Sequence, residues 1–397
     1  MTAAKTEDAA LDAAPGVSKS GAKYKQIYDF LRQALLDNTY PVGSKLPSEN
    51  EMVEQFAASR PTIGRALAQL ESESLIQRRA GSGTFVSPRV EEKRLAFGLL
   101  IPELGLTEIF EPICQGISRA RLGGEHDLIW GPLFEHGAPN EIQAERLCEY
   151  YLNRNLSGVF FAPLELSEGK DVVNERIVRA FDEAGIPVVL LDRDICDYPK
   201  RSRYDLVGID NHRAGRVVAE HLIDCGARRI VFFGRPNSAP TVKRRSLGYV
   251  EALRESVGHV ADAMIVLSDP ADAVAVRSLL ATAKPDAIIC PNDYTAAHLM
   301  TTLNALGVQI PDDIRVTGMD DVKYAGLLQV PLTSIRQPCA EIGFTALMAM
   351  HDRVAHPTLP ARDLFVDFEL IVRASSRPAG ANLENGRNGG RSSAGDC

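Results

Sequence analysis

No run of eighteen consecutive apolar residues occurs in this chain of 397 residues, so it offers no segment able to cross a bilayer as a helix. The opening MTAAKTEDAALDAAPG carries acids and lacks an apolar core, which argues against a secretory signal. The seven cysteines, Cys114, Cys148, Cys196, Cys225, Cys290, Cys339 and Cys397, form no C-x-x-C pair. Their scatter and odd number fit reduced thiols in packing roles better than a disulfide framework. A cytoplasmic protein with no membrane partner is expected. An excess of positive charge is missing too: 44 Lys and Arg against 52 Asp and Glu leave a net charge of -8. General polyanion binding by the whole surface is thereby excluded, and any basic footprint must be local.

Catalytic signatures are equally scarce. There is no G-x-S-x-G elbow, no Walker loop and no G-x-G-x-x-G after a predicted strand. His351 and His356 have no Cys or carboxylate partner at metal spacing, and both are expected as surface histidines. The paired acids Asp312-Asp313 and Asp320-Asp321 suit turns and caps better than catalysis. No cofactor, metal or catalytic residue is expected.

What remains is an ordinary globular composition, 45% hydrophobic and 24% charged, long enough for two or three domains. One stretch stands out, Leu46 to Val86, LPSENEMVEQFAASRPTIGRALAQLESESLIQRRAGSGTFV. Ser48 and Glu51 form an S-x-x-E capping box ahead of Met52, Val53 and Phe56, which predicts a short helix. Residues 57–60 turn the chain into a second helix, with Ser59 as candidate N-cap, Pro61 tolerated in the first turn, and Ile63, Leu67 and Leu70 on one face. Upstream, Ile27, Phe30, Leu31, Ala34 and Leu35 make a third helical stripe. Beyond Leu75, runs at 76–79 and 84–86 flank Ala80-Gly81-Ser82-Gly83, whose glycines permit a tight hairpin. Three helices and a hairpin spell a winged helix-turn-helix.

A helix laid in the major groove reaches base edges from its first turns, which singles out Arg60, Thr62 and Arg65. Arg65 has a blander alternative, an ion pair with an acid such as Glu71. Lys45, Arg78 and Arg79 suit phosphates, which position a protein without reading sequence.

The following organisation is expected: an unpatterned arm at 1–21, the winged helix at 22–87, a polar linker at 88–94, an α/β domain at 95–376 and a Gly/Ser/Asn-rich tail at 377–397. From Leu95 onward, short apolar runs at 96–101, 128–130, 158–162, 188–191, 206–209, 230–233, 287–290 and 316–317 alternate with amphipathic helical stretches. That alternation predicts doubly wound parallel sheets, and the number of strands predicts two lobes with a cleft between them. The first lobe is expected from 95–205 and 334–356, the second from 206–331 and 363–374. Asp192, Arg193, Asn292, Asp320 and Gln337 each fall at or near a strand's carboxyl end, where open α/β sheets bind ligands. Carboxylate, amide and guanidinium groups together can bracket adjacent hydroxyls. Each alone could equally be an N-cap or a salt-bridge partner.

Two resemblances sharpen this. Residues 23–86, with L-P-S-E-N-E, S-R-x-T-I-x-x-A-L-x-x-L and G-x-G-T-F-V, resemble the winged helix of the GntR family. The resemblance implies DNA contacts at Asn50, Ser59, Arg60, Thr62, Gly64 and the wing tip Gly81. Many members carry Arg where this chain has Asn50 and Gly64, so operator preference does not transfer. Residues 95–375 resemble the sugar-binding domain of LacI/GalR repressors through I-P-V-V-L-L-D-R, V-G-I-D-N-H-x-A-G, C-P-N-D, G-V-x-I-P-D-D-I-x-V-x-G-M-D-D and P-L-T-S-I-R-Q-P. This implies a cleft lined by the strand-end residues above with Arg245, and Phe110, in the loop after the first strand, packing on the sugar. Met319 departs from the family's usual aromatic residue.

A ligand-controlled DNA-binding regulator is expected, a repressor and a homodimer, since one recognition helix reads only a few base pairs whereas two read a palindrome. Its partners would be operator DNA and a sugar. A purine or sugar-phosphate effector is the rival, because Arg193, Arg244 and Arg245 could accommodate an anion. An enzyme of sugar metabolism and an exported binding protein are the more distant alternatives.

Overall fold

A computed structural model describes residues 20–37, 39–79, 81–87, 94–102, 108–120, 126–132, 139–257 and 264–377. The chain separates into two compact units, Met1–Arg94 and Leu95–Cys397. Most of the expected arm, linker and tail lies outside the described residues; Ser20 and Gly21, assigned to the arm, instead begin the first helix.

The first unit holds helices α1 (Ser20–Leu36), α2 (Glu49–Gln55) and α3 (Arg60–Ser72), then strands β1 (Ile76–Arg79) and β2 (Gly83–Val86) paired antiparallel. Its core is small: Ile27, Leu31, Leu35, Met52, Ile63, Leu67, Leu70, Ile76 and Val86 are all buried. Phe30 stays more than a third exposed and meets Phe56 edge-on at 5.3 Å. The capping box is complete, with Ser48 Oγ accepting from the Glu51 amide at 3.3 Å and Glu51 Oε2 accepting from the Ser48 amide at 2.6 Å. A helix of only seven residues depends on such a start. Ser48→Ala is therefore expected to cost about 1 kcal/mol, seen as a lower urea midpoint at unchanged slope. Ser59 occupies the N-cap position of α3 but makes no side-chain cap; its Oγ pairs with Thr62 Oγ1 at 2.8 Å.

In the second unit, one six-stranded parallel sheet contains β3 (Leu95–Leu100), β4 (His126–Trp130), β5 (Gly158–Phe161), β6 (Val188–Leu191), β7 (Asp205–Gly208) and β13 (Asp363–Phe365), in the order β13-β7-β6-β5-β3-β4. The other has β8 (Ile230–Gly234), β9 (Met264–Leu267), β10 (Ala287–Ile289), β11 (Arg315–Asp320), β12 (Thr333–Arg336) and β14 (Glu369–Ile371), in the order β14-β12-β11-β10-β8-β9, with β14 alone antiparallel. Inner strands such as GVFF and VVLL are buried at every residue, as strands covered on both faces must be.

Helices α4 (Phe110–Arg119) and α11 (Cys339–Ala355) pack on the first sheet, with α5 (Asn140–Leu152) and α6 (Lys170–Glu183) belonging to a separate core cluster of that lobe. Helices α7 (Asn211–Asp224) and α8 (Pro240–Val257) cover the second sheet on one side, and α9 (Ala273–Ala283) and α10 (Asp293–Ala305) share another core cluster. The pair α7/α8 crosses backbone against backbone. A Cβ on Gly215 would stand 1.9 Å from the Arg245 carbonyl oxygen, and one on Gly248 would stand 1.9 Å from that of His212. No larger residue fits either position without parting the helices.

The expected division between lobes needs correction. Strand β7, expected in the second lobe, pairs with β6 in the first sheet, and β12, expected in the first lobe, pairs with β11 in the second sheet. The extended run at 364–372 divides between the two sheets as β13 and β14. The chain thus crosses between lobes after β7, after β12 and between β13 and β14. Phe110 lies in no loop; it is the first residue of α4. His351 is only partly exposed, packed edge-on to Phe97 at 5.7 Å and to His126 at 6.2 Å. Met319 is fully buried in the sheet's hydrophobic core and presents no surface for stacking.

Candidate functional site

Two sites take shape, one in each unit. In the winged helix, the turn between α2 and α3 brings Asn50 and Arg60 together: Arg60 Nε donates to Asn50 Oδ1 at 3.1 Å, and Nη2 donates to the same oxygen. Ser59, Arg60, Thr62, Gly64 and Arg65 follow along the start of α3. A Cβ on Gly64 would meet nothing within 4 Å, so that helix face is open. Arg65 does not pair with Glu71; its guanidinium lies 4.6 Å from the centre of the Tyr24 ring. Glu71 instead faces Arg78, which also reaches Glu49 at 3.0 Å. Arg79 stacks over Phe85 at 4.9 Å. Lys45 bridges to Phe85 of β2, and its stem crosses the bare backbone of Gly83. Gly81 has φ +74, the conformation that glycine adopts without strain.

The second site is built from strand ends. The chain order reverses at β3 in one sheet and at β8 in the other, and carboxyl ends beside such reversals are where α/β folds hold ligands. Asp192 and Arg193 follow β6, Asp320 ends β11, and Gln337 follows β12 on a crossover. Asp192 and Asp320 hold φ of +67 and +113, values rare outside glycine and concentrated at functional positions.

Arg193 is 2% exposed. Its guanidinium stacks 5.2 Å from the centre of the Phe110 ring, pairs with Glu165 and lies 3.7 Å from Asp192 Oδ2. Arg245, 4% exposed, donates through Nε to Asn211 Oδ1 at 2.7 Å and through Nη1 to the Pro291 carbonyl. Gln337 Nε2 donates to Asp320 Oδ1 at 2.8 Å. Among the described residues, the buried oxygens Asp192 Oδ1 and Gln337 Oε1 accept no hydrogen bond. Buried acceptors of that kind are costly unless a donor reaches them.

Asn292 behaves partly as the bland alternative foresaw. Its Oδ1 caps α10 by accepting from the Thr295 amide at 2.8 Å. Arg244 does not line the inner cleft; its guanidinium sits over the rings of Tyr198 at 5.4 Å and Phe365 at 5.7 Å. Glu165 and Asn211 escaped the sequence reading. Glu165 comes four residues after the end of β5, so the strand-end rule applied to that strand would have found it.

Electrostatics set the acids apart. Burial raises the Asp192 carboxyl, against the pull of Arg193 and Arg245. Burial also raises Asp320, to about 7, where Arg245 opposes the shift and the Asp192 charge adds to it. A carboxyl raised in the folded state keeps a proton that the unfolded chain releases near 3.8. Stability is thus fully present below that value and is lost as pH rises through about 7. Asp320→Asn cannot ionise, so between these limits its melting temperature is expected to fall less steeply with pH than that of the parent. Thermal melts in a buffer series check this.

Comparison with known proteins identifies the domain type of each unit. Residues 23–86 match the description "Bacterial regulatory proteins, gntR family", and residues 219–376 match "Periplasmic binding protein-like domain". The chain is 26% identical over 373 residues to the arabinose metabolism transcriptional repressor of Geobacillus stearothermophilus, across 90% of this chain and 99% of that one. It is 30% identical over 238 residues to the HTH-type transcriptional regulator CelR of Thermobifida fusca, across 59% and 67%. Among solved structures, a transcriptional regulator CelR–cellobiose complex superposes with a TM-score of 0.57 at 25% identity, across 80% of this chain and 90% of that one. The chain belongs to the ligand-responsive, DNA-binding transcriptional regulators that join a GntR-family winged helix to a LacI-type periplasmic-binding-protein-like domain.

Proposed function

We propose that this regulator is a cytoplasmic repressor, acting as a homodimer on a palindromic operator, whose grip on DNA changes when a sugar binds between the two lobes. The observation that carries the effector class is the mixed lining of the cleft. Asp192, Asp320, Gln337, Arg193 and Arg245 gather around buried acceptors, Asp192 Oδ1 and Gln337 Oε1, that no described residue satisfies. Vicinal hydroxyls donate and accept from neighbouring positions, so a polyol completes such a set where an apolar ligand would leave it unmet. The Phe110 ring, expected to pack on the sugar itself, is buried in the core against Arg193, so it holds that guanidinium in place and offers no open face of its own. Arabinose, ribose and cellobiose, named for relatives or neighbours of this chain, are the first candidates.

On the DNA side, Asn50, Ser59, Arg60, Thr62, Gly64, Arg65 and Gly81 form the proposed reading surface, and Lys45 and Arg78 the proposed phosphate contacts. Arg78 would exchange the exposed carboxylates of Glu49 and Glu71 for a phosphate at little cost. The lobes are joined by three crossovers, and Gln337 sits on one of them, so ligand binding at the cleft acts on the segments about which lobes close. A coupling of about 1–3 kcal/mol would change operator affinity roughly 5- to 150-fold. Retention of a promoter fragment, with and without each sugar, tests the reading; a sugar that binds the protein yet leaves retention unchanged is not its effector.

A further inference from the structure

Glu165 belongs to the first lobe, yet its carboxylate is held by both. Oε1 pairs with Arg193 of its own lobe, and Oε2 accepts from the Ala239 amide, immediately ahead of α8 in the second lobe, at 3.2 Å. The next residue, Leu166, adopts φ +61, strained for a bulky side chain, and donates from its amide to the Asn237 carbonyl at 2.7 Å. Glu165 itself is 8% exposed. A buried guanidinium beside the positive end of an 18-residue helix is the environment that would welcome a phosphate or carboxylate on a ligand. Here that environment is filled by a carboxylate of the protein.

We propose that Glu165 is a specificity-determining residue: it occupies the anion position of the interlobe cleft and so restricts the effector to uncharged sugars, excluding phosphorylated and acidic ones. The charges around it agree. Besides Glu165 the surroundings hold two further carboxyls, Asp192 and Asp320, which burial already raises, and an incoming anion would oppose their ionisation further. Arg244, the third arginine that the sequence offered for an anion, is stacked on Tyr198 and Phe365. Burial would raise the Glu165 carboxyl, but the Arg193 charge and hydrogen bonds outweigh it and hold the group below its ordinary value, so it is ionised in its place at neutral pH.

The inference rests on reading the cleft as the effector site, and its test keeps the two apart. Thermal melting of the parent, Glu165→Ala and Glu165→Gln is compared in inorganic phosphate and in chloride at matched ionic strength. Phosphate is expected to raise the melting temperature of the variants by several degrees while leaving the parent's unchanged. An equal response of parent and variants overturns the proposal. In parallel, calorimetry on the parent compares arabinose, ribose, glucose and cellobiose with ribose 5-phosphate, glucose 6-phosphate and glucuronate. Binding of an acidic compound as tightly as its neutral counterpart overturns the proposal without recourse to any variant, which covers the case in which Glu165 variants do not fold. The expected result is a preference for the neutral member of at least roughly tenfold, reduced in Glu165→Gln. If no neutral sugar binds while the variants alone respond to phosphate, the sugar reading fails and the role of Glu165 stands.

Discussion

Replacing Arg245 with alanine is expected to leave operator binding in place and to remove the response to the effector. The guanidinium is almost wholly buried, and its Nε and Nη1 are fixed by Asn211 and by the Pro291 carbonyl. Its remaining donors are therefore presented at a set angle, in a setting that also contains Asp192 and Asp320. Hydrogen bonds from a charged donor contribute about 1.5–3 kcal/mol each, so losing two to a ligand's hydroxyls weakens binding by about 3 kcal/mol or more, over a hundredfold. Position strengthens the expectation, because α8 is held against α7 at the glycine crossing and cannot shift to bring another donor forward. Removing a buried charge also leaves its partners unbalanced, which lowers stability. Arg245→Lys, which keeps the charge but loses the fork, separates the effects: it is expected to fold like the parent and still lose most of the ligand affinity. Calorimetry with the effective sugar, beside a retention assay without it, measures both.

The second large effect is expected at Arg60, and in the opposite direction. Arg60→Ala should abolish operator binding and leave sugar binding untouched. Its side chain is exposed at the first turn of α3 and is aimed by Asn50 Oδ1, which takes Nε and Nη2. Losing a base-reading arginine costs about 1–3 kcal/mol in each half-site, hence about 2–6 kcal/mol for a two-fold symmetric complex. The loss should be specific to the operator and should leave the salt dependence of non-specific binding unaltered. Lys45→Ala offers the contrast, weakening operator and random DNA alike and making the salt dependence shallower. A variant at Arg60 that keeps full operator affinity would remove that residue from the reading surface.

Much of this architecture was legible in the sequence because local rules and tertiary structure agree. The S-x-x-E box at Ser48, the i, i+4, i+7 spacing of Ile63, Leu67 and Leu70, and the glycines of the wing each specify their own geometry within a few residues. Doubly covered strands such as VVLL announce themselves as unbroken apolar runs. What stayed hidden depends on distant partners. Strand β12 reads as polar, TSIR, yet its first three residues are buried: Thr333 bonds to Ser375 and Ser376 while Ser334 donates to the buried Asp293 carboxyl at 2.6 Å. The edge strands β13 and β14 have three residues each, too few for a periodic signal, and which sheet each joins is decided by the crossovers.

The candidate sites divide in the same way. Strand-end placement singled out Asp192, Arg193, Asp320 and Gln337 because position along the chain alone puts each at or just past the carboxyl end of a strand. It could not show that Asn292 would turn its oxygen to capping α10, that Arg244 would stack on two rings, or that Glu165 would reach across to the other lobe. Those outcomes depend on side-chain direction and on residues more than seventy positions away in the case of Glu165. The Tyr24 ring beneath Arg65 is another such partner, since it comes from the opposite end of the winged helix.

The central claim is an energetic link between a sugar-binding cleft lined by carboxyl, amide and guanidinium groups and a winged helix on DNA. It is tested most directly by titrating arabinose, ribose or cellobiose, whichever binds the purified protein, against a fluorescent palindromic fragment of its own promoter, in parent and Arg245→Ala proteins. The parent's operator affinity is expected to change by between roughly 5- and 150-fold at saturating sugar, with no change in the variant. Contradiction would come from a sugar that saturates the cleft while the parent's operator affinity stays constant.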